Sequence, residues 1–125
     1  MADPTAFYTG WLLDPDEREL LLVRFPARYP QVVAHHVTLK FGDRAAPPPP
    51  GEVEAEIVGE ADDGAGVQAL VVAIDGSPKR PDGGTFHITW SLAEGREARE
   101  SNDVIAAHGW SPLSPPRPVT LIPKA

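Results

Sequence analysis

Two segments of the chain repeat one pattern of residue types that suits acid–base chemistry at phosphorus. Residues 36–39 read HVTL and residues 87–90 read HITW, so each has a histidine, an apolar residue, a threonine and a second apolar residue. Opening a cyclic phosphodiester requires a group that takes a proton from water and another that protonates the departing sugar oxygen. Two imidazoles can do both near neutral pH, and two hydroxyl groups can hold the charge on the phosphoryl oxygens. The candidate catalytic residues are therefore His36 and His87, and the candidate phosphate ligands are Thr38 and Thr89.

Both repeats fall within predicted β-strands, which would place the histidine and the threonine of each repeat side by side. Side chains alternate between the two faces of a strand, so residues 36, 38 and 40 share one face, as do residues 87, 89 and 91. The opposite face of each strand is apolar, which is typical of a core stripe. One such pattern is a weak indication, because threonine is common in strands. Two copies in the same strand phase, using two of the four histidines, favour a functional pair.

Six further side chains are candidates for contacts with a substrate: Tyr8, Trp11, Lys40, Lys79, Arg80 and Ser91. The two aromatic residues could stack on a base, although core packing explains each of them more simply. The two cations before the second repeat could close over a phosphate, and a solvated turn explains them equally well. Strand alternation predicts that His35 points away from its neighbour, so we interpret it as structural, like His108 at the end of a predicted helix.

The elements that would position these residues follow from the hydrophobic pattern. Strands are predicted over residues 6–13, 32–41, 53–57, 67–74, 85–92 and 119–122. A first helix is predicted from an Asp14 cap to about residue 25, and a second from a Ser101 cap to about residue 108. Runs of neighbouring strands favour an α+β fold with an antiparallel sheet over a doubly wound one.

The first predicted helix carries additional start signals. Pro15 suits the first helical position, and Glu17 stands where a capping box would place it. Leu20, Leu21 and Phe25 are predicted to face inward.

Length and composition predict one domain over residues 1–125. Apolar residues make up 42% and charged residues 23% of the chain, which is ordinary for a globular protein. There is no cysteine, which excludes disulfides, thiol nucleophiles and cysteine metal sites. Without a long uncharged apolar run or a basic, apolar leader, we expect a cytoplasmic protein that does not bind membranes. The formal charge of −7 disfavours general binding to nucleic acid, including duplex DNA.

The two repeats resemble the paired motifs of the two-histidine (2H) phosphoesterase superfamily, in which His-x-Thr/Ser is followed by an apolar residue. Four segments also resemble the cyclic phosphodiesterase domain of fungal-type tRNA ligases and stand-alone RNA-repair-like relatives. They are residues 8–14 (YTGWLLD), 35–42 (HHVTLKFG), 86–89 (FHIT) and 100–102 (ESN). The resemblance spans most of the chain, from residue 7 to residue 108.

This resemblance implies a bilobal α+β fold of antiparallel sheets with flanking helices and pseudo-twofold symmetry. It implies metal-independent hydrolysis of a 2′,3′-cyclic phosphate on a nucleotide or an RNA 3′ end. His36 and His87 match the general acid and base of the family, in an order that the sequence leaves open, and Thr38 and Thr89 match its phosphate ligands. We accordingly expect no cofactor and no metal, a small nucleotide or RNA end as the partner, and a monomer.

Three other interpretations fit parts of the pattern. A binding module of the same fold would hold a nucleotide or RNA end without turnover, but it would not need a proton donor and acceptor. RNA end joining by a ligase activity would run related chemistry in reverse, and a small acidic chain suits it less than hydrolysis. A metal site would need His36, His87 and a carboxylate, and threonine two residues after each histidine is poor ligand chemistry.

Overall fold

In a computed structural model of the chain, residues 8–41, 53–81 and 83–124 are described, with the backbone alone for Tyr8, Lys40, Phe41 and Lys124. The helices are α1 (Pro15–Arg24) and α2 (Glu100–His108). The strands are β1 (Tyr8–Leu13), β2 (Gln31–Val32), β3 (His36–Phe41), β4 (Ala55–Asp62), β5 (Val67–Ile74), β6 (His87–Leu92), β7 (Ser111–Val119) and β8 (Leu121–Lys124). No helix in these three ranges is long and apolar enough to cross a membrane.

The strands join in one antiparallel sheet whose central strands carry the two histidine repeats. The strand order is β7-β4-β5-β6-β3-β1-β8, and β2 also pairs with β6. Each of the pairings is antiparallel. The α+β class with an antiparallel sheet, predicted from the runs of neighbouring strands, is therefore confirmed.

The sheet is least continuous between β3 and β6, where the two repeats meet. In the described ranges these strands pair at a single position, Val37 opposite Ile88. Each of these residues stands between the histidine and the threonine of its repeat. By contrast, β4 and β5 pair from Ala55 to Asp62 with one irregularity. The joint divides the sheet into a half made of β3, β1 and β8 and a half made of β6, β5, β4, β7 and β2, and each half holds one repeat.

The strand predicted over residues 32–41 is interrupted by a turn at Ala34. This residue has a φ of 43°, in the left-handed region that alanine rarely adopts, and it is fully buried. Its N–H donates to the carbonyl of Thr89 at 3.0 Å, and its own carbonyl accepts from Nε of Arg18 at 3.0 Å. Because distant elements impose the turn, the local pattern of residues 32–41 carries no sign of it.

Two hydrophobic cores lie on opposite faces of the sheet. The larger contains Val37 and Ile88, together with Leu21 of α1. The smaller is covered by α2 and includes Val104 and Ile105 of that helix. All of β5 is buried, because its side chains alternate between the two cores. Full burial of an aliphatic side chain stabilises the fold by about 1.5–3 kcal/mol, so β5 is a firm support for the second repeat on β6, with which it pairs.

A β-bulge at Trp90 reverses the faces at the end of β6. Ala69 of β5 pairs with Thr89, whereas its neighbour Gln68 pairs with Ser91, so Trp90 is an extra residue in the ladder. Alternation therefore holds for His87 and Thr89 but not for Ser91, which lies on the face of the larger core. The prediction that residue 91 shares a face with residues 87 and 89 is wrong for this reason.

The first helix starts as predicted, but part of its expected packing is different. Oδ1 of Asp14 accepts from the backbone N–H groups two and three residues ahead, at 2.9 and 3.2 Å, which confirms the cap. Glu17 does not complete a capping box, because its Oε1 accepts from the N–H of Thr120 at 3.0 Å. Leu21 is buried as predicted, but Leu20 is 64% exposed. Neighbouring helical residues point in different directions, and the narrow buried face admits only one of the two.

Two features of the C-terminal part also differ from what the sequence predicts. The pattern does not predict β7, because this strand (SPLSPPRPV) is rich in proline. It is an edge strand that pairs with β4, and an edge position tolerates missing N–H donors. Ser101 does not cap α2, since it is the second helical residue and is fully buried.

Candidate functional site

A cleft of about 510 Å³ lies where the two repeats meet. Both histidines and both threonines of the repeats line it: His36, Thr38, His87 and Thr89. Val37 and Ile88 point the other way, into the larger core, and pair with each other. The structure thus brings together the four predicted residues from two segments that are far apart in the sequence, through one pairing between β3 and β6.

His87 is buried, and a backbone carbonyl sets its tautomer. Its Nδ1 lies 2.8 Å from the carbonyl oxygen of Thr85. A carbonyl can only accept, so Nδ1 carries the proton and Nε2 bears the lone pair in the neutral ring. Burial lowers the pKa of His87 below its usual value, the positive charge of Arg80 lowers it further, and the bond to Thr85 opposes both effects. His87 is therefore neutral at neutral pH and equipped to accept a proton at Nε2.

His36 is half-buried and is paired with another histidine. Its Nδ1 lies 3.1 Å from Nδ1 of His35, and the two rings meet edge to face, with an interplanar angle of 81°. His35 precedes the first residue of β3, so strand alternation does not apply to it. The expectation that His35 points away from His36 is wrong for this reason. The side chain of His35 is exposed and meets its neighbour.

Thr89 is held by the segment that leads into α2. Its Oγ1 donates to the carbonyl of Ala98 at 3.2 Å and lies 2.9 Å from Oγ of Ser101. Because the carbonyl can only accept, the Ser101 hydroxyl is the donor when both bonds form. Thr89 can donate to a phosphoryl oxygen only if its hydroxyl turns away from Ala98. Thr38, on the other strand, is buried as well and lines the same cleft.

Arg80 lies behind the cleft and joins the loop before β6 to α2. Its side chain is buried, and Nη2 donates to Oδ1 of Asn102 at 3.0 Å. The guanidinium passes so close to Gly84 that a Cβ there would lie 2.5 Å from Nη2. Asn102 also donates from Nδ2 to the carbonyl of Arg99, at 3.0 Å, and it lines the cleft. Arg80 therefore acts on the site through Asn102 and through its charge, which lowers the pKa of His87.

A second wall of the cleft comes from the segment before α2 and from the first turn of this helix, and the sequence does not assign it to the site. Arg96 and Arg99 lie in this wall. Arg96 is paired with Asp63 at 2.9 Å and with Glu100 at 3.1 Å, and Arg99 is paired with Glu97. These ion pairs offset the positive charge that the arginines bring to the cleft. The sequence alone does not assign these two arginines to the site, because their place depends on how α2 packs on the sheet.

The other predicted substrate contacts are not brought to the cleft where the structure describes them. Trp11 is buried in the larger core, with its ring edge-on to Phe86 at 5.9 Å between centroids. Ser91 is fully buried and bonded to Gln68 and to the N–H of Tyr29. Lys79 is exposed in the loop before β6. The side chains of Tyr8 and Lys40 lie outside the described part of the chain.

The donor set of the site suits phosphate and protons better than a metal ion. Two imidazoles and two hydroxyls line the cleft, and the carboxylate among its described lining residues, Glu97, is paired with Arg99. Across residues 8–41, 53–81 and 83–124, no three side chains of histidine, aspartate or glutamate are grouped to hold a metal ion.

Comparisons of this chain with protein-family models, with curated proteins and with solved structures found no match.

Proposed function

We propose that this protein hydrolyses a cyclic phosphodiester without a metal, with a 2′,3′-cyclic phosphate on a nucleotide or RNA end as the favoured substrate. One observation carries the proposal. Two histidines and two threonines, from repeats on two adjacent strands, line one cleft of about 510 Å³. This volume lies in the range of clefts that hold small ligands.

The finer fold proposal is that the two halves of the sheet are the two lobes of a 2H phosphoesterase fold. Each half contributes one repeat on its inner strand, and the halves meet through Val37 and Ile88. One helix also belongs to each core, α1 to the larger and α2 to the smaller. This arrangement supports pseudo-twofold symmetry about the joint between β3 and β6.

The surroundings of the two histidines suggest which is the base. His87 is neutral, with its proton on Nδ1, so its Nε2 would take a proton from the attacking water. The water oxygen bonds to phosphorus as the bond to the departing sugar oxygen breaks, and protonated His36 gives that oxygen its proton. Thr38 and Thr89 would donate to the phosphoryl oxygens that do not react. The products are a phosphomonoester and a free hydroxyl, and proton exchange with solvent restores both histidines.

The test is turnover of nucleoside 2′,3′-cyclic phosphates, and of a short RNA with a cyclic phosphate end, in the presence of EDTA. We expect the parent protein to hydrolyse at least one of them. His36→Ala and His87→Ala should each lower kcat/KM by at least about a hundredfold. His108→Ala is the matched control, because His108 is exposed at the end of α2 and outside the cleft.

Near-normal turnover in either cleft variant would remove that histidine from the mechanism. Loss of activity in EDTA would overturn the metal-free reaction. Tight binding of the same compounds without turnover would instead identify a binding module. The position of the phosphate in the product would show which sugar oxygen departs.

A further inference from the structure

We propose that His35 is a positioning residue for His36, whose imidazole it holds through the bond between the two Nδ1 atoms so that Nε2 serves the cleft. The contact between His35 and His36 is observed in the structure. Its effect on turnover rests on the proposed function. No part of the proposed mechanism uses His35, and the sequence pattern by itself predicts a residue that points elsewhere.

The bond between the two rings couples their proton positions. With 3.1 Å between the two Nδ1 atoms, one of them must carry a hydrogen and the other must not. The ring centroids lie 5.3 Å apart at 81°, which is an edge-to-face arrangement rather than a stack. When His36 is protonated it carries hydrogen on both nitrogens, so His35 must then accept at Nδ1 and keep its own proton on Nε2. His35 therefore supplies an acceptor for the state of His36 that a general acid requires, and charged donors form the stronger bonds.

The backbone holds His35 in this position from three sides. The turn at Ala34 is bonded to β6 through Thr89 and to α1 through Arg18. The carbonyl of His35 accepts from the N–H of Leu13, at the end of β1, at 2.9 Å. The left-handed conformation of Ala34 and these three bonds set where the chain enters β3. An exposed side chain is thus presented by a well-fixed backbone, which is what a positioning role needs.

The first experiment reads the proton positions on His36 directly and needs no activity. Ring nitrogens of the histidines are observed by long-range ¹H–¹⁵N NMR in the ¹⁵N-labelled parent, His35→Ala and His35→Asn proteins. The amide nitrogen and oxygen of asparagine lie where Nδ1 of histidine lies, and the amide can donate or accept but does not titrate. His108→Ala, at an exposed position, is the control for loss of an imidazole elsewhere.

When the His36 ring is neutral, we expect its nitrogens in the parent protein to report one dominant tautomer with a hydrogen-bonded Nδ1. His35→Ala should change the ratio of the two His36 tautomers, whereas His35→Asn and His108→Ala should retain the parent shifts. Unchanged His36 shifts in His35→Ala would overturn the proposal. Because this result does not depend on turnover, it stands apart from failure of the proposed function.

The second experiment measures the consequence in the cyclic-phosphate assay. We expect His35→Ala to lower kcat about tenfold with little change in KM, the scale on which orienting partners of histidine act, and His35→Asn to recover most of the loss. A purely structural role would not distinguish the two variants in this way. Equal kcat in the parent and in His35→Ala would contradict the positioning role even if the parent is active.

Discussion

The two repeats have the same residue pattern, but the protein surrounds their histidines differently. His87 is buried, and its Nδ1 is bonded to a backbone carbonyl, which can only accept a hydrogen bond. His36 is half-buried and its Nδ1 is bonded to another imidazole, which can donate or accept. A carbonyl acceptor commits a histidine to one tautomer, whereas an imidazole partner can change between donor and acceptor when the histidine gains a proton. The difference teaches that a symmetric motif can provide an asymmetric pair, one histidine suited to accept and the other to donate.

Removal of each histidine in turn is the strongest test of the difference between their surroundings. In His87→Gly the vacated space is enclosed and retains the Thr85 carbonyl as an acceptor, so added imidazole has a site to occupy. In His36→Gly the space is partly open, and imidazole is held less well. From a starting loss of at least about a hundredfold, we expect added imidazole to restore more activity to His87→Gly than to His36→Gly.

The measurement is kcat/KM against imidazole concentration for the two variants, with the parent protein as control for inhibition by imidazole. Equal rescue of both variants, or greater rescue of His36→Gly, would show that the surroundings of the two histidines differ less in solution than the structure indicates.

The second comparison concerns two glycines, one beside each repeat. A Cβ on Gly10 would lie 2.1 Å from the carbonyl oxygen of Val37 in β3, whereas one on Gly84 would lie 2.5 Å from the end of the Arg80 side chain. A strand backbone cannot yield without disturbing its sheet, but a long side chain can turn. We expect Gly10→Ala to lower the free energy of unfolding by about 1–3 kcal/mol and Gly84→Ala to lower it less.

Urea unfolding of the two variants and the parent gives these differences directly. If Gly84→Ala proves the more destabilising, the Arg80 side chain is more rigidly held than the backbone at the first repeat.

The sequence predicts the features of this fold that depend on local patterns and misses those that depend on distant contacts. The strand over residues 67–74 is predicted with its observed bounds because a continuous apolar run, buried on both faces, needs no knowledge of its neighbours. The four residues of the repeats are found because alternation within a strand is local. The turn at Ala34, the bulge at Trp90 and the packing of α2 are imposed by distant partners. These three features decide that His35 meets His36, that Ser91 leaves the cleft, and that Arg96 and Arg99 enter it.

The smallest predicted effect concerns the burial of His87 and is read in stability against pH. In the unfolded chain a histidine gains a proton below about pH 6.5, whereas burial lowers the pKa of His87 in the folded protein. Between these two values the unfolded state binds more protons, so the free energy of unfolding falls as pH falls, by at most about 1.4 kcal/mol per unit. His87→Asn keeps a side-chain N–H near the Thr85 carbonyl but cannot titrate, so its stability should decline less over this range. Urea unfolding at pH values above and below about 6.5 measures the difference, with His108→Asn as control for the loss of an exposed imidazole. An identical pH dependence in the parent and His87→Asn would mean that His87 takes up its proton as easily in the fold as in the unfolded chain, and the contrast with His36 would then lose its electrostatic basis.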